Sequence, residues 1–372
     1  MIRGDAVDLP GAATNATGQR GDAVDLPGAA TNATGQINVQ NDAKKPINKK
    51  ALVFGATVID IGFYLNDGKM PGPDKSAQAE TSITAGGKGL SQAVALSRLG
   101  IEVSLVSVIG KKYFYPVIEE VLKKEKNISV AIGDTSDELP HITGVITLDK
   151  GKSCAIGDKR EGENFCLRKE TIDKAFEKIK DYGFVLITYE LPINTIKYIL
   201  EKLADDECEH ILVIVTPAPP TDKTVYYDYA DEIDYLVASR WEAQKILGVD
   251  EVENQDISEL ATALFNKGSC VGVCMPDDGN VIIEYNNKKR ISKESVSKRG
   301  AVHNNIYERD ACCAALAYLL WKNGGFIEKE DLSFITAAMA LSADRPKRID
   351  SMPTLEEIEK RLRNCGESRQ KS

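Results

Sequence analysis

The sequence predicts an α/β protein with a doubly wound, mostly parallel sheet flanked by helices. From Ala51 onwards, short apolar runs typical of buried strands alternate with segments whose apolar residues recur at helical spacing. Between residues 51 and 110, a strand, a helix and a second strand follow one another, as in a right-handed crossover. The alternation continues to about residue 344, and a 372-residue chain that is 42% hydrophobic can form one large core.

The first elements show this rhythm most clearly. ALVFGATVIDIGFYL is an apolar run with a glycine break, which predicts a buried strand that runs into a functional turn. LSQAVALSRLG has helical spacing and ends at Gly100, a typical C-cap, and IEVSLVSVIG follows as the next strand.

Further elements are predicted along the rest of the chain. Strands are expected in FVLITYELP, HILVIVTPAP, the start of DYLVASRWEAQKILG, and SCVGVCMPDDGNVIIEYNNKKRISK. Helices are expected in RKETIDKAFEKIKDYG, NTIKYILEKLADD, the end of DYLVASRWEAQKILG, ISELATALFNKG, the run after Arg309, and LSFITAAMALSAD. Hairpins near 62–85 and 140–160 interrupt the alternation and predict a small β lid.

The N-terminal segment differs from the rest of the chain. Residues 3–19, RGDAVDLPGAATNATGQ, recur unchanged as residues 20–36, a duplicated 17-residue repeat. Each copy has few large aliphatic residues and cannot bury enough surface to offset its ordering entropy, which predicts a disordered tail over 1–49. Its RGD and Asn15-Ala-Thr motifs function only outside the cell, and no signal peptide is recognisable. A domain over 50–364 and a flexible end over 365–372 complete the predicted organisation.

Composition argues against several classes of function. A formal charge of −9 with scattered lysines lacks the basic stripe of a nucleic-acid-binding protein. The eight cysteines contain no CxxC pair and there are only three histidines, so small buried thiols in a reducing cytoplasm are the favoured interpretation. No apolar run reaches the ~20 residues of a membrane span. We therefore expect a cytoplasmic protein with small-molecule or protein partners.

Candidate site residues follow from the predicted sheet. Ligands of doubly wound sheets lie at the carboxyl ends of the strands. This rule selects Asp60, the AGGKG at 85–89, Glu190, 216–219, 239–242, 274–279 and Asp310. The glycines around Lys88 allow backbone amides to approach a ligand oxygen, although such a sequence is equally typical of a tight turn. Asp310 begins an alanine-rich helix, where a carboxylate can also be a simple cap.

The order of these features resembles the ribokinase-like carbohydrate kinases, the phosphofructokinase B (PfkB) family. AGGKGLSQAVALSRLG is similar to the N-terminal signature of that family, and YELP and VTPAPP are similar to two of its strand ends. ERDACCAALAYLL takes the place of its glycine-alanine-glycine-aspartate helix, and AAMALSADRPKRIDSMPTLEEI resembles its closing helix and loop. The resemblance covers about residues 50–364 and implies a ribokinase-like fold.

The resemblance also implies an activity, namely ATP-dependent phosphorylation of a sugar or nucleoside hydroxyl. Asp310 takes the role of catalytic base. The implied substrate-binding residues are Asp60, Gly86, Gly87, Lys88, Ser91 and Glu190. The implied nucleotide-binding residues are Ser239, Glu242, Cys274, Gly279, Arg309 and Thr336, with Glu242 also at the metal. ATP and Mg²⁺ are the implied cofactors, a monovalent cation is left open, and a homodimer through the β lid is expected.

The sequence departs from the family pattern at the rim of this site. Tyr307 and Arg309 replace the two glycines before the aspartate, with Glu308 between them, and bulky or acidic residues there oppose phosphate binding. Other family residues are replaced by Val58, Ser91, Lys111-Lys112, Ser239, Cys274-Met275-Pro276 and Lys347-Arg348. We therefore expect weakened or lost catalysis.

Three hypotheses follow from this pattern. The first is an active sugar or nucleoside kinase in which Asp310 is the base, and Arg309 partly compensates by contacting phosphate. The second is an inactive ribokinase-fold subunit with a binding, regulatory or structural role. The third, a Rossmann oxidoreductase, is disfavoured because GATVIDIG lacks the GxGxxG fingerprint.

Overall fold

The computed structural model describes a chain of alternating strands and helices, as predicted. It covers residues 46–148, 153–157, 167–220, 223–251, 255–268, 272–277, 280–285, 289–293, 307–345 and 349–370. The strands are β1 (Lys50–Phe54), β2 (Val58–Leu65), β3 (Ala79–Gly86), β4 (Glu102–Gly110), β5 (Ile128–Ser136), β6 (His141–Thr147), β7 (Ser153–Gly157), β8 (Phe184–Thr188), β9 (Leu212–Thr216), β10 (Tyr235–Val237), β11 (Gly272–Asp277), β12 (Asn280–Tyr285) and β13 (Lys289–Lys293).

The helices pack on both faces of the larger sheet. They are α1 (Lys88–Arg98), α2 (Tyr115–Lys124), α3 (Lys169–Phe176), α4 (Ile193–Leu203), α5 (Lys223–Asp228), α6 (Arg240–Leu247), α7 (Ile257–Lys267), α8 (Glu308–Lys322), α9 (Leu332–Ala343) and α10 (Leu355–Gln370). Among the described residues, no helix is long and apolar enough to cross a membrane.

Two sheets organise the described part of the chain. The larger has the strand order β13-β12-β11-β10-β9-β8-β1-β4-β5 and is parallel from β11 to β5, with β12 and β13 antiparallel at one edge. The smaller has the order β3-β2-β6-β7 and mixes parallel and antiparallel pairs. The doubly wound fold is thereby confirmed, and the second sheet lies where the lid is predicted.

The core has two halves, one on each face of the larger sheet. Alternation along β1 sends Ala51 and Val53 to the face covered by α1, α8 and α9, and Leu52 and Phe54 to the face covered by α3, α4 and α7. Because this strand is buried on both faces, it consists of a continuous apolar run.

Three stretches differ from the sequence-based expectation. No element is predicted over 111–140, but α2 and β5 lie there. In α2, Val117, Ile118, Val121 and Leu122 pack against the core at helical spacing, so the pattern that could have predicted this helix is present in the sequence. The packed body begins before the predicted boundary at residue 50, because Ile47 packs against the core and the Lys49 ammonium lies 4.2 Å from the Trp321 ring centroid. The end predicted to be flexible from 365 is helical as far as Gln370.

Candidate active site

The glycine-rich turn before α1 requires the close approach that only glycine allows. Gly87 has φ of +93°, and a Cβ atom there would lie 2.3 Å from the Ala56 carbonyl oxygen. A Cβ atom at Gly86 would lie 1.9 Å from Oδ2 of Asp60. The end of β3 therefore packs against Asp60, two residues before α1 begins.

Glu190 holds this turn in place through its carboxylate. Its Oε2 accepts hydrogen bonds from the backbone amides of Lys88 at 2.9 Å and Gly89 at 3.3 Å, which are the first amides of α1. The same oxygen accepts from the Ala56 amide at 3.3 Å and the Thr188 hydroxyl at 3.1 Å. Since the amino end of a helix favours negative charge, Glu190 is an internal anion for α1. Its proposed contact with a substrate is neither confirmed nor contradicted by this role.

Asp310 lies in the first turn of α8 and is 1% exposed. Its Oδ1 accepts a hydrogen bond of 3.1 Å from Nε2 of Gln92, which also donates to the Thr216 hydroxyl at 3.1 Å. No described group donates to Oδ2 of Asp310, although this atom is buried. Burial raises the pKa of Asp310 to about 7, and the nearby Lys88 charge and the Gln92 hydrogen bond limit the increase. A carboxyl group with one unpaired oxygen and this pKa is suited to proton transfer.

Tyr307 reaches across the site to Asp60. Its hydroxyl donates a hydrogen bond of 3.1 Å to Oδ2 of Asp60, and both side chains are buried. The residue that replaces a family glycine therefore contacts the carboxylate that is predicted to bind the sugar.

Arg309 contacts a second buried carboxylate, that of Glu242, which is predicted to lie on the nucleotide side of the site. Its Nη1 pairs with Oε1 of Glu242, and the side chains of Arg309 and Glu242 are 17% and 1% exposed, respectively. The second oxygen of Glu242 accepts from the Ser239 amide at 2.8 Å, and Ser239 in turn caps α6, so the two residues form a capping box.

Residues 48–301 match the pfkB family carbohydrate kinases. The chain belongs to the pfkB family. The match covers more than half of the chain and includes the glycine-rich turn, Glu190 and Glu242. Asp310 lies beyond it, and its assignment rests on its position at the start of α8.

Curated relatives of this pfkB family member include sugar kinases. A ribokinase of Haemophilus influenzae is 24% identical over 309 residues, which cover 81% of this chain and 92% of the relative. A deoxyribokinase of Salmonella typhi is 26% identical over 223 residues, which cover 58% of this chain and 68% of the relative.

Solved structures show the same fold. The ribokinase of Giardia lamblia aligns with a TM-score of 0.71 at 16% identity, over 85% of this chain and 99% of its own. The ribokinase of Arabidopsis thaliana, complexed with ribose and ATP, aligns with a TM-score of 0.66 at 20% identity, over 84% and 97% of the two chains. At these identities the likeness establishes the fold, not the ligand.

The remaining nucleotide-side residues predicted for this pfkB family member lie in different surroundings, and their contact with a nucleotide stays a prediction. Cys274 is fully buried, with its sulfur 3.6 Å from that of Cys312, so its side chain belongs to the core. The Thr336 hydroxyl donates to the Ser333 carbonyl oxygen at 3.2 Å within its own helix. Gly279 lies outside the described residues.

On the substrate side, Ser91 and Lys88 lie in the first turn of α1. The Ser91 hydroxyl is buried and has no described hydrogen-bond partner. The Lys88 side chain is half-buried, and its positive charge lowers the pKa of the nearby Asp310 carboxyl. Lys88 is therefore near the predicted base, and contact of either residue with a substrate remains a prediction.

Two polar residues of the site, Gln92 and Thr216, have no predicted role, although Thr216 begins the selected strand end 216–219. Gln92 lies four residues after Lys88, on the same face of α1, and this spacing is the signal that could have indicated it. Thr216 ends β9, one of the strand ends singled out by the topology. Their hydrogen bonds hold the Asp310 carboxyl in one orientation.

Proposed function

We propose that this pfkB family member keeps the site of a sugar or nucleoside kinase but has lost most of its phosphotransfer. We propose further that it works as a binding, regulatory or structural subunit. The family reaction moves the terminal phosphoryl group of ATP to a substrate hydroxyl, and Asp310 is the residue placed to accept the hydroxyl proton. Asp60, Gly86, Gly87 and Lys88 are the proposed substrate contacts. The cytoplasmic location stays a prediction.

The observation that carries this proposal is the pair of contacts made by Tyr307 and Arg309. The Tyr307 hydroxyl binds the Asp60 carboxylate at 3.1 Å, and the Arg309 guanidinium binds Glu242. Each contact occupies an acid that a kinase of this kind needs for a ligand. A kinase loses about 10² to 10³ in rate for one missing transition-state contact, so two such losses leave little turnover.

A divalent cation does not fit the described residues at Glu242. One oxygen of this carboxylate accepts the Ser239 amide and the other pairs with Arg309. The described residues contain no group of three His, Cys, Asp or Glu side chains arranged to hold a metal. No catalytic step is therefore assigned to Mg²⁺ here. ATP remains the proposed nucleotide, supplying the phosphoryl group, and Ser239 and Arg309 are its proposed contacts.

A second candidate function, an active kinase, is favoured by the Asp310 carboxyl. Its Oδ2 is buried without a described donor, and its Oδ1 is held by Gln92. This arrangement keeps one oxygen available for a substrate hydroxyl. In this alternative, Tyr307 leaves Asp60 when the sugar binds.

The two functions are separated by a product assay on the full chain. Native protein, a Tyr307→Gly/Arg309→Gly double variant, and the double variant with Asp310→Asn are incubated with MgATP and a panel of sugars and nucleosides. We expect only trace product from native protein and at least ~10²-fold more product from the double variant, lost again on Asp310→Asn. An Arg309→Lys variant keeps the Tyr307–Asp60 contact and the charge at residue 309, and it is expected to stay inactive.

Native turnover that disappears in Asp310→Asn alone would overturn the proposal in favour of the active kinase. Glycine substitutions can also weaken the fold, so circular dichroism and calorimetric titration with MgATP accompany the assay. A folded double variant that neither binds MgATP nor forms product would also overturn the proposal, because residues 307 and 309 would then not be what suppresses the site.

The lid is the proposed surface for a second copy of the chain. Register places Ile61, Ile83, Gly144 and Ile156 in one row across its four strands, with their side chains on one face. Ile83 is 51% exposed and Ile156 is 62% exposed, and Phe63 lies on the same face at 38%. A flat apolar sheet face can pair with itself about a twofold axis, which favours a homodimer.

A further inference from the structure

Glu242 is an acid whose two oxygens are both engaged by the protein itself. Oε2 accepts from the Ser239 amide at 2.8 Å as part of the capping box of α6. Oε1 faces Nη1 of Arg309, and the Glu242 side chain is only 1% exposed. A buried carboxylate of this kind requires a positive partner, and the partner here is a side chain of α8.

A free cation can reach Glu242 only by displacing Arg309. Mg²⁺ takes about six oxygen ligands at ~2.0–2.1 Å and gives up its water reluctantly. An arginine on the same chain competes from a fixed position, at an effective concentration that does not depend on the solution. Arg309 therefore has the advantage over a dissolved metal ion.

Arg309 keeps hydrogen-bonding capacity after it has paired with Glu242. A guanidinium has five N–H donors in a planar fork that matches the oxygens of a phosphate. Among the residues that the structure describes, Glu242 is the one side chain that Arg309 pairs with, and 17% of the arginine side chain is exposed. Lys88 supplies a second positive charge nearby, since both cations act on the Asp310 carboxyl.

We propose that Arg309 is a built-in cation that replaces the divalent metal at Glu242, so that a phosphate-bearing ligand binds this site as a metal-free anion. The inference deepens the proposed function and rests on its nucleotide site. It concerns ligand binding and assigns no chemical step.

The test is nucleotide affinity with and without a divalent cation. ATP is titrated calorimetrically into the full chain either in about 5 mM MgCl₂, which saturates ATP with metal, or in EDTA, which removes the metal. The variants are Arg309→Met, which keeps length and removes charge, Arg309→Lys, which keeps charge, and Arg309→Met/Glu242→Gln. Arg345→Ala is the matched control, because Arg345 also pairs with a glutamate, Glu357, at 2.5 Å.

We expect the native affinity for ATP to change by less than about twofold between the two conditions, and the same for Arg309→Lys and Arg345→Ala. We expect Arg309→Met to bind at least ~10-fold tighter with Mg²⁺ than without it, and Glu242→Gln in that background to abolish this difference. Native protein that binds ATP in neither condition would contradict the inference, because no metal-free anion then binds the site.

Two further results would overturn the inference. One is native binding that is at least ~10-fold tighter with Mg²⁺. The other is an absence of binding by Arg309→Met in both conditions while the variant remains folded, because removal of the arginine would then open no metal site. The proposed loss of phosphotransfer can be wrong while this inference holds. Turnover by native protein in EDTA would contradict the loss of phosphotransfer and would agree with a metal-free site.

Discussion

At the scale of single residues, the site is defined by which acids have a partner inside the protein. Asp60 has Tyr307, Glu242 has Arg309, and Glu190 has backbone amides of α1. Asp310 differs, because one of its oxygens has no described donor although the side chain is buried. A buried carboxylate that lacks a hydrogen-bond donor to one oxygen lowers the free energy of unfolding when it is charged.

Asp310→Asn is therefore expected to stabilise the protein at high pH. The pKa of Asp310 is raised from 3.8 to about 7, so the folded state binds a proton more tightly than the unfolded state. The stability of the native protein then falls as pH rises from about 4 to 7, and the asparagine variant avoids this loss. Urea unfolding should give a gain of about 2–4 kcal/mol at pH 8 and almost none at pH 4.

An exposed aspartate provides the control for this experiment. Asp231→Asn removes the same charge at the surface and is expected to change stability by less than about 0.5 kcal/mol at both pH values. A gain from Asp310→Asn that is equal at pH 4 and pH 8 would contradict a titrating, buried carboxyl group.

At the scale of elements, α1 depends on an acid from another strand end. It begins at Lys88 after a glycine N-cap that offers no side-chain hydrogen bond, and Glu190 supplies the missing acceptor. Four donors converge on this carboxylate, from residues 56, 88, 89 and 188.

Glu190→Ala should loosen the start of α1. Loss of a charged acceptor shared by several amides is expected to lower the free energy of unfolding by about 2–3 kcal/mol, and Glu190→Gln by about 1 kcal/mol. Hydrogen exchange of the amides at 88–90 should accelerate in both variants, while α4 stays protected. Glu177→Ala, at an exposed glutamate, is the control; if it has the same effect on stability, the role of Glu190 is excluded.

The lid makes a separate prediction, on assembly. Ile83→Asp places a charge in the apolar row and should convert a dimer to a monomer, raising the dissociation constant by at least ~10². Sedimentation velocity measures the change, and Met70→Asp, in the loop between β2 and β3, adds the same charge at an exposed apolar residue outside the row. A native protein that sediments as a monomer at micromolar concentration would disprove the lid interface.

At the scale of the whole molecule, the packed body begins within the last residues of the predicted tail. Ile47 packs against the core, and the Lys49 carbonyl oxygen accepts from the Glu102 amide at 3.2 Å.

Deletion of residues 1–44 should leave the free energy of unfolding within about 0.5 kcal/mol of native, because the repeat has little apolar surface to bury. Deletion of residues 1–49 should lower it by about 1–3 kcal/mol, through loss of Ile47 and the Lys49–Trp321 contact. Equal stability of the two truncated chains, measured by urea unfolding, would contradict this boundary.

The sequence was sufficient for much of this architecture. Continuous apolar runs predicted β1, β4, β8 and β9, because strands buried on both faces have this pattern. The same reasoning missed α2, which is not a continuous apolar run: charged residues separate Val117 and Ile118 from Val121 and Leu122. The rule that ligands lie at the carboxyl ends of parallel strands predicted that Asp60, the glycine-rich turn and Asp310 lie in one region. It could not show that Tyr307 reaches Asp60, because a contact between residues 247 positions apart depends on side-chain direction in the folded protein.

The pairing of Tyr307 and Arg309 with two buried acids also bears on how this lineage can change. A single reversion at 309 leaves the Glu242 carboxylate buried without its cation, and a single reversion at 307 removes a hydrogen bond from Asp60. Each step back toward a glycine-rich phosphate turn is thus destabilising before any ligand is present to compensate. Selection for stability alone would therefore keep both Tyr307 and Arg309, even in a population in which phosphotransfer would again be useful.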